Sequence, residues 1–449
     1  MKLKFKKGLN LNLEGAVPAG AQPVAKTTDM CAIIPDDFPG FRPKPAVKDG
    51  DEVACGQALL FDKTHPETKI LSPISGRVKN VVRGDRRKIL RIEIEAAEVS
   101  VSVPEPTFEC PTDADSAKSF LAASGMMAFM RQRPYDIVPN PSDTPRDIFV
   151  TAADSAPLAS ASATYGTGIF TADDYQRGVD ILRMATKGKL YLAVTESWPY
   201  GNIKGAEMLV IEGPHPAGNV SVQIEAVAPV NKGDIVWTLD GTTLARTGRI
   251  AASGKFCPDT IVAVTGPEVT VPGLVKTVIG ASVDSILKGN INETPRHLRV
   301  ISGNVFTGTA IGDDDRYLHF PYRQITVIDE GDDVDEFMGW ASVSLSKMSQ
   351  SASFPGHFFK RLFRPDARLN GGRRAMIQSG EYDKVMPMDI MPEYLIKAIL
   401  AHNIEDMEAL GIYEVAPEDF AAAEYVDTSK LPLQKIVREG LDYIRKELE

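Results

Sequence analysis

The sequence predicts an α+β chain built from several domains, and three observations point there. Its 449 residues exceed the roughly 50–250 residues that a single core ordinarily organises. Short β-type runs crowd the first hundred residues, the middle alternates strand-like with helix-like patterns, and the end is helical. Divisions at about 104, 255 and 332 give four units. These are a small β domain over 1–104, an α/β domain over 105–255, a second β-rich domain over 256–332, and a basic loop with C-terminal helices over 333–449.

Each element follows from its pattern. MKLKFKKGLNLNL alternates lysine with apolar residues and lacks the unbroken apolar core of a signal peptide, so it reads as an opening strand. VKDGDEV, GQALLF, KILSPISGRVKNVV and KILRIEIEA are β-type runs separated by glycine and proline turns. VPEPTFECPTDAD is a linker, and SAKSFLAASGMMAFM turns helical. DIFVTAA is apolar enough for a buried strand, DDYQRGVDILRMATKG has helical spacing, and KLYLAVT and AEMLVIEG are further strands. TIVAVTG, KTVIGA and RVISGNVFTG open a second β-rich region, resembling a ligand-binding β-grasp module. PEYLIKAILAHN, IEDMEALG and LQKIVREGLDYIRKEL are amphipathic packing helices.

Composition narrows the function classes. A net charge of −10 gives the molecule as a whole no nucleic-acid footprint. Cys31, Cys55, Cys110 and Cys257 are scattered, with no CxxC pair, so neither a disulfide framework nor a zinc or iron–sulfur site is indicated. The six histidines show no H-E-x-x-H spacing. No stretch approaches the roughly 20 apolar residues of a membrane helix. A reduced, cytoplasmic setting is expected, and docking onto a membrane complex stays open.

Val47-Lys-Asp-Gly-Asp-Glu-Val with Gly56-Gln-x-Leu59 and Ser72-Pro-x-x-Gly76-x-Val78 is the pattern of the flattened β-barrel of biotinyl and lipoyl carriers. Glycines serve its turns and alternating apolar residues fill it. Asp62-Lys63 looks like the lipoyl attachment pair. Yet Lys63 stands too far from Pro73, His65-Pro66-Glu67 takes the hairpin tip, and no methionine flanks Lys63 or Lys69. The expectation is a barrel without its swinging arm.

The α/β unit invites a nucleotide, but ADSAPLASASATYGTGIF lacks G-x-G-x-x-G; Gly166-x-Gly168 is only a fragment of it. His215 lies between prolines in the glycine-rich loop after a strand, where α/β proteins bind ligands. His215 and Gly218 are therefore a candidate ligand loop, with a rigid turn bearing an exposed imidazole as the alternative.

Two further constellations have the character of docking surfaces. One joins the loop Ile34–Pro43, with Asp37, Phe38, Phe41 and Arg42, to the loop Arg131-Gln-Arg133-Pro-Tyr135. Aromatics on proline-stiffened loops offer contact area at little ordering cost; equally, they could cap the barrel and cover the next domain. The other is Lys347, Lys360, Arg361, Arg364, Arg368, Arg373 and Arg374 against Asp366, interleaved with Phe354, Phe358, Phe359 and Phe363. This basic segment could meet anionic lipid headgroups, grip an acidic partner, or stay a solvated loop.

Several short runs occur in one order along the chain: Lys6-Lys-Gly-Leu-x-Leu11, Gly40-x-Arg42-Pro43, Arg131-x-Arg133-Pro-Tyr135, Ile148-Phe-Val-Thr-Ala152 and Gly213-Pro-His215-Pro-Ala-Gly218. Val300-Ile-Ser-Gly303-x-Val305, Phe337-x-Gly339-Trp340, Gly371-Gly-x-Arg374-Ala-Met376 and Val385-Met-Pro-Met-Asp389-Ile-Met-Pro392 follow. Over nearly its whole length the chain thereby resembles the NqrA family, which belongs to the Na+-translocating NADH:quinone oxidoreductases, the bacterial respiratory sodium pump. A looser similarity reaches the flavin-binding subunit of proton-pumping complex I, and also its cluster-bearing electron-transport relatives. The C-x-x-C-x-x-C runs that clusters require are missing here.

The resemblance implies a peripheral subunit on the cytoplasmic side of the bacterial inner membrane, with no redox group of its own. Flavins (FAD, FMN, riboflavin) and an iron–sulfur centre would sit in partner subunits, and quinone would be the substrate. The loops carrying Asp37, Phe38, Phe41, Arg42, Arg131, Arg133 and Tyr135 would then face the membrane subunits and a quinone headgroup, rings stacking and arginines donating to its carbonyls. The basic residues Lys360, Arg361, Arg364, Arg368, Arg373 and Arg374 would form a docking patch. Two alternatives of other classes are a free-standing biotinyl or lipoyl carrier and an independent NAD- or flavin-dependent oxidoreductase.

Overall fold

Met30–Ile33, Ile89–Ala96, Gly76–Arg83 and Glu52–Val53 form one small antiparallel sheet, and Pro43–Pro45, Ala58–Asp62 and Lys69–Leu71 form a second. Alternation along these strands sends Val53, Leu60, Ile70, Val78, Ile92 and Ile94 into a shared apolar filling. The computed structural model describes residues 1–98, 101–159, 165–332, 345, 347–348, 355–359 and 361–448. At the hairpin tip, the N–H of Thr68 donates to the carbonyl of His65 at 2.9 Å, closing a turn over Pro66 and Glu67. The buried Asp62 carboxylate accepts from the backbone N–H groups of Arg42, Thr64 and His65 at 2.7, 2.6 and 3.1 Å. An aspartate therefore organises this tip, and Lys63 projects from its side into solvent.

The α/β unit has the strand order Lys2–Lys4, Glu207–Glu212, Leu190–Val194, Asp147–Thr151, Val236–Asp240, Arg131–Arg133. All are parallel except the last, which closes one edge. Successive residues face opposite apolar layers. Ile148, Val150, Leu190 and Leu192 pack towards the helices Ala114–Ala123, Ala172–Ala185 and Gly241–Ser253, while Phe149, Tyr191 and Ala193 pack towards Val220–Val227. A sheet covered on both faces needs continuous apolar strands, which is how DIFVT and LYLAV read. The helices Ala172–Ala185 and Gly241–Ser253 cross at two glycines. A Cβ on Gly178 would stand 2.2 Å from the Leu244 carbonyl oxygen, and one on Gly248 would stand 1.9 Å from that of Asp174.

The opening strand departs from its expected place in the first β domain. Lys2–Lys4 instead completes the α/β sheet, burying Leu3 and pairing Lys4 with Glu212 at 2.6 Å. Val24–Ala25 likewise extends the third sheet. The barrel proper starts at Met30. Each segment covers an edge that would otherwise expose unpaired backbone.

That third sheet runs Thr309–Ala310, Leu298–Ser302, Gln324–Asp329, Asp259–Thr265, Gly273–Val278, Val24–Ala25. The helix Val283–Leu287 covers it through Val283, Ile286 and Leu287, against Val262, Val264, Ile325 and Val327. The C-terminal helices Tyr382–Val385, Pro392–Leu400, Ile404–Ala409, Ala421–Val426 and Leu433–Leu448 enclose Leu395, Ile396, Phe420 and Leu441. Leu9, Val222 and Phe306 join that core from three other parts of the chain, so the helices are built onto the body and do not form a separate lobe. Among the described residues, no helix is long and apolar enough to cross a membrane.

Candidate functional site

The structure brings together the two loops singled out for quinone. The N–H of Val138 donates to the Pro39 carbonyl at 2.8 Å, and Arg131 Nη2 donates to the Asp37 carbonyl at 2.8 Å. Their aromatic residues, however, face inward. Phe38 and Phe41 are only 3% and 7% exposed. Phe38 stacks on Phe320 with centroids 5.1 Å apart, and Phe320 stacks on Phe129 at 4.5 Å, with Arg131 over the Phe320 ring at 5.5 Å. A pile of three rings from the barrel, the α/β unit and the third sheet excludes water, and this burial outweighs anything the rings could gain on the surface. Of the two readings of Phe38 and Phe41, exposure for stacking on a quinone is corrected and the other holds: they cap the barrel at a three-way junction.

Asp37 is the polar centre of that junction. Its carboxylate accepts the N–H of Phe320 at 2.9 Å and meets His319 Nδ1 at 2.8 Å; Asp315 stands 3.4 Å from His319 Nε2. Burial disfavours charge on His319, but the carboxylates of Asp315 and Asp37 outweigh it and raise the imidazole to about 9. His319 is therefore held in its protonated form at neutral pH. Arg133 is also buried, with Asp136 at 3.7 Å and Glu418 at 3.8 Å; its Nε and Nη1 have no partner among the described residues. Tyr135 is half-buried against Tyr413, edge to face at 6.2 Å, and its carbonyl accepts from Arg438. Arg133 and Tyr135 are thus packing residues, against the expectation of a docking surface.

Arg42 is the member of this set left at the surface. It borders a cleft of about 540 Å³ between the hairpin tip, residues 132–143 and the end of the last helix. His65, Arg445 and Lys446 supply polar groups there, and Ile137 and Val138 an apolar wall. Gly40 shapes the entrance: a Cβ would meet Ile137 at 2.7 Å, and its φ is +82°.

At the α/β sheet's ligand edge the two candidates part. Gly218 borders a pocket of about 280 Å³ with Asn10, Asp154, Ser155 and Thr195. His215 lies behind it, 3% exposed, with Nδ1 3.3 Å from Ser155 Oγ and its ring 5.2 Å from that of Phe306. Burial pushes this imidazole down to about 4, so it is neutral, and its Nε2 has no partner among the described residues. The reading of an exposed imidazole is corrected.

The sheet order reverses between Asp147–Thr151 and Val236–Asp240, where doubly wound sheets hold their ligands. Here Arg323 fills the crevice. It donates to Asp240 and Thr242 through Nη1 and to the Tyr165 hydroxyl at 3.2 Å through Nη2, and it lies 5.6 Å from the centre of the Tyr165 ring. Asp240 also caps the helix Gly241–Ser253, accepting from Thr242 and Thr243 N–H at 2.7 and 3.0 Å. Residues 160–164 of the glycine-poor connection lie outside the described residues.

The basic segment is partly anchored. Arg364 reaches Glu268 at 3.0 Å and the Pro267 carbonyl at 3.0 Å, and Phe363 pairs with residues 12–14. Arg368 is held by Asp366 at 2.6 Å, and Arg361 lies over the Phe363 ring at 5.1 Å. Arg373 and Arg374 are exposed. Lys360, Phe354 and the Phe337–Trp340 run lie outside the described residues.

Sequence reasoning missed His319, Phe320, Arg323 and Asp240. One signal was present: Leu318-His-Phe-Pro-Tyr-Arg323 sets two aromatics, a histidine and an arginine around a proline, directly before a strand.

Three family models match successive stretches of the chain. They are the NqrA N-terminal barrel-sandwich hybrid domain over residues 3–97, the NqrA second alpha/beta domain over 112–256, and the NQRA C-terminal domain over 261–312. The NqrA protein of the Na(+)-translocating NADH-quinone reductase of Vibrio vulnificus (strain YJ016) is 34% identical over 450 residues, covering 99% of this chain and 100% of that one. Its counterpart from Vibrio anguillarum is 34% identical with the same coverage. That of Yersinia pseudotuberculosis serotype O:1b (strain IP 31758) is 32% identical over 453 residues, again covering 99% and 100%.

Proposed function

Since this chain belongs to the NqrA family of the Na+-translocating NADH-quinone reductases, we propose that it is the enzyme's peripheral cytoplasmic subunit. It helps to bind quinone and to assemble the complex, while the flavins and the iron–sulfur centre belong to its partner subunits. In this reading the first unit is a carrier-type barrel without an arm, the second a Rossmann-like sheet and the third a β-grasp. The filled crevice at Arg323 and Tyr165 supports a second unit that packs and does not hold a nucleotide there.

The observation that carries the quinone role is the cleft beside Arg42. Its apolar wall at Ile137 and Val138 suits a ring, and Arg42 and His65 can donate to ring carbonyls. A neighbouring membrane subunit would close its open side. Phe41 and Arg133 are too buried for this task, so Arg42 is the residue to change. In the assembled enzyme, Arg42→Ala is expected to raise the quinone KM about tenfold, the effect of losing one charge-assisted hydrogen bond. NADH oxidation with an artificial acceptor should be unchanged. A quinone KM equal to wild type, measured with full assembly, would remove the cleft from the reaction.

A further inference from the structure

A second cleft, of about 640 Å³, opens between residues 368–374, the turn at 305–306 and the helical segment 421–434. Arg368, Arg373, Arg374 and Lys430 border it, against Glu381 and Glu424. Both acids are engaged elsewhere: Glu381 takes Lys384 Nζ at 2.6 Å, and Glu424 accepts the N–H of Gln434 at 2.9 Å. The nearby buried Asp427 accepts from Ser429 and Leu431 N–H at 3.0 and 2.7 Å. Arg368 has Asp366. The side chains of Arg373, Arg374 and Lys430 make no hydrogen bond and no ion pair among the described residues. Three cations without a direct ion pair therefore share one concavity, outnumbering the carboxylates of Glu424 and Asp427 that neutral N–H donors hold beside them.

Lys430 is held in this position by its backbone, at a left-handed φ of 60° that L-residues seldom adopt. Burial lowers its ammonium below the ordinary lysine range and the nearby Arg374 charge adds to this, against the pull of Asp427. Such an arrangement is relieved by a bound anion. The floor is apolar, with the rings of Phe306 and Tyr425 in edge contact at 5.7 Å beside Val426 and Pro432.

The surroundings decide the source of the anion. Of the fourteen large apolar side chains exposed among the described residues, five lie within residues 358–377: Phe358, Phe359, Leu362, Leu369 and Ile377, each at least 50% exposed. Leu369 lines the cationic mouth and the other four stand in the same chain segment, a combination that matches a surface charged and hydrocarbon at once. Free phosphate would use only the cations, and an acidic polypeptide would leave the apolar rim unaccounted for.

We propose that this cleft binds the phosphate of an acidic phospholipid headgroup, with Phe358, Phe359, Leu362, Leu369 and Ile377 turned to the membrane surface. The proposal takes from the functional reading only that a membrane is nearby. Its test is co-sedimentation of the full chain with phosphatidylcholine vesicles, with and without phosphatidylglycerol. Wild type should bind the phosphatidylglycerol vesicles alone, and Arg374→Gln/Lys430→Gln should weaken binding at least tenfold. Lys79→Gln/Arg83→Gln, which removes two exposed cations of the barrel, should change it less than twofold. Arg373→Gln/Arg374→Gln, confined to exposed side chains, repeats the test should the first variant fold poorly.

No vesicle binding, or equal losses in the cleft and barrel variants, would overturn the proposal. So would displacement by inorganic phosphate as effective as by glycerophosphoglycerol, which would assign the cleft to a free anion. Binding only to an acidic segment of a partner protein would likewise overturn it. A chain that fails here but still assembles and supports quinone reduction leaves the functional reading intact, which separates the two failures.

Discussion

Replacing Asp37 with alanine is expected to lower the stability of the chain by about 3 kcal/mol, read as a fall in the urea midpoint. The carboxylate holds the N–H of Phe320 at 2.9 Å and the charged His319 at 2.8 Å, both inside the junction of three units. Its removal leaves a buried imidazolium with only Asp315 at 3.4 Å, and a backbone donor with no acceptor. Both losses bear on the ring pile, because Phe320 follows His319 directly and stacks on Phe38 and Phe129. A midpoint within error of wild type would show that Asp37 does not hold the junction, and would reopen it as a docking residue.

The same pair sets a pH dependence with a defined sign. His319 is raised above its ordinary value to about 9, so its contribution is fully present below about pH 6.5 and is lost as pH rises through 9. For a histidine this buried the loss amounts to at most about 3 kcal/mol. Asp37 is itself raised by burial, against the pull of His319 and the Phe320 N–H. Its contribution is therefore present below the ordinary aspartate range and lost as pH rises through its raised folded-state value. Between pH 6.5 and 9 wild type should lose stability, and Asp37→Asn, which lowers the histidine towards its ordinary value, should lose distinctly less. Parallel curves for the two proteins would contradict the ion pair.

Local pattern carried most of the elements. DDYQRGVDILRMATKG reads as a helix and is one over Ala172–Ala185, and the buried runs DIFVT and LYLAV are adjacent parallel strands. The hairpin was legible down to its tip because Asp62, Pro66 and Thr68 act on near neighbours. What stayed hidden depends on distance along the chain. Lys2–Lys4 pairs with residues about 208 positions away, and Phe38 is covered by a phenylalanine in residue 320. An aromatic loop reads alike whether solvent, a partner or its own chain covers it. Arg42, Arg133 and Tyr135 belonged to one constellation in sequence, and only the packing separated the surface Arg42 from the buried Arg133 and the half-buried Tyr135.

Arg323→Ala is expected to cost about 3–5 kcal/mol, the penalty of leaving a largely buried charge without its partner. The guanidinium joins the third sheet to the α/β unit through Asp240, Thr242 and Tyr165. Burial alone would raise the Asp240 carboxyl, but Arg323 and the Thr243 N–H and hydroxyl hold it below the ordinary range. A depressed carboxylate contributes stability that is present above its unfolded value, near pH 4, and lost as pH falls through the folded one. The deficit of Arg323→Ala relative to wild type should therefore be full at neutral pH and shrink on acidification. Arg323→Lys keeps the charge without the two-pronged geometry and should recover only part of the loss. Adding Asp240→Asn to Arg323→Ala should cost much less than the two single effects summed, because the orphaned charge is gone. Strict additivity would mean that the two side chains do not act as a pair. The crevice would then need another explanation for why it is filled.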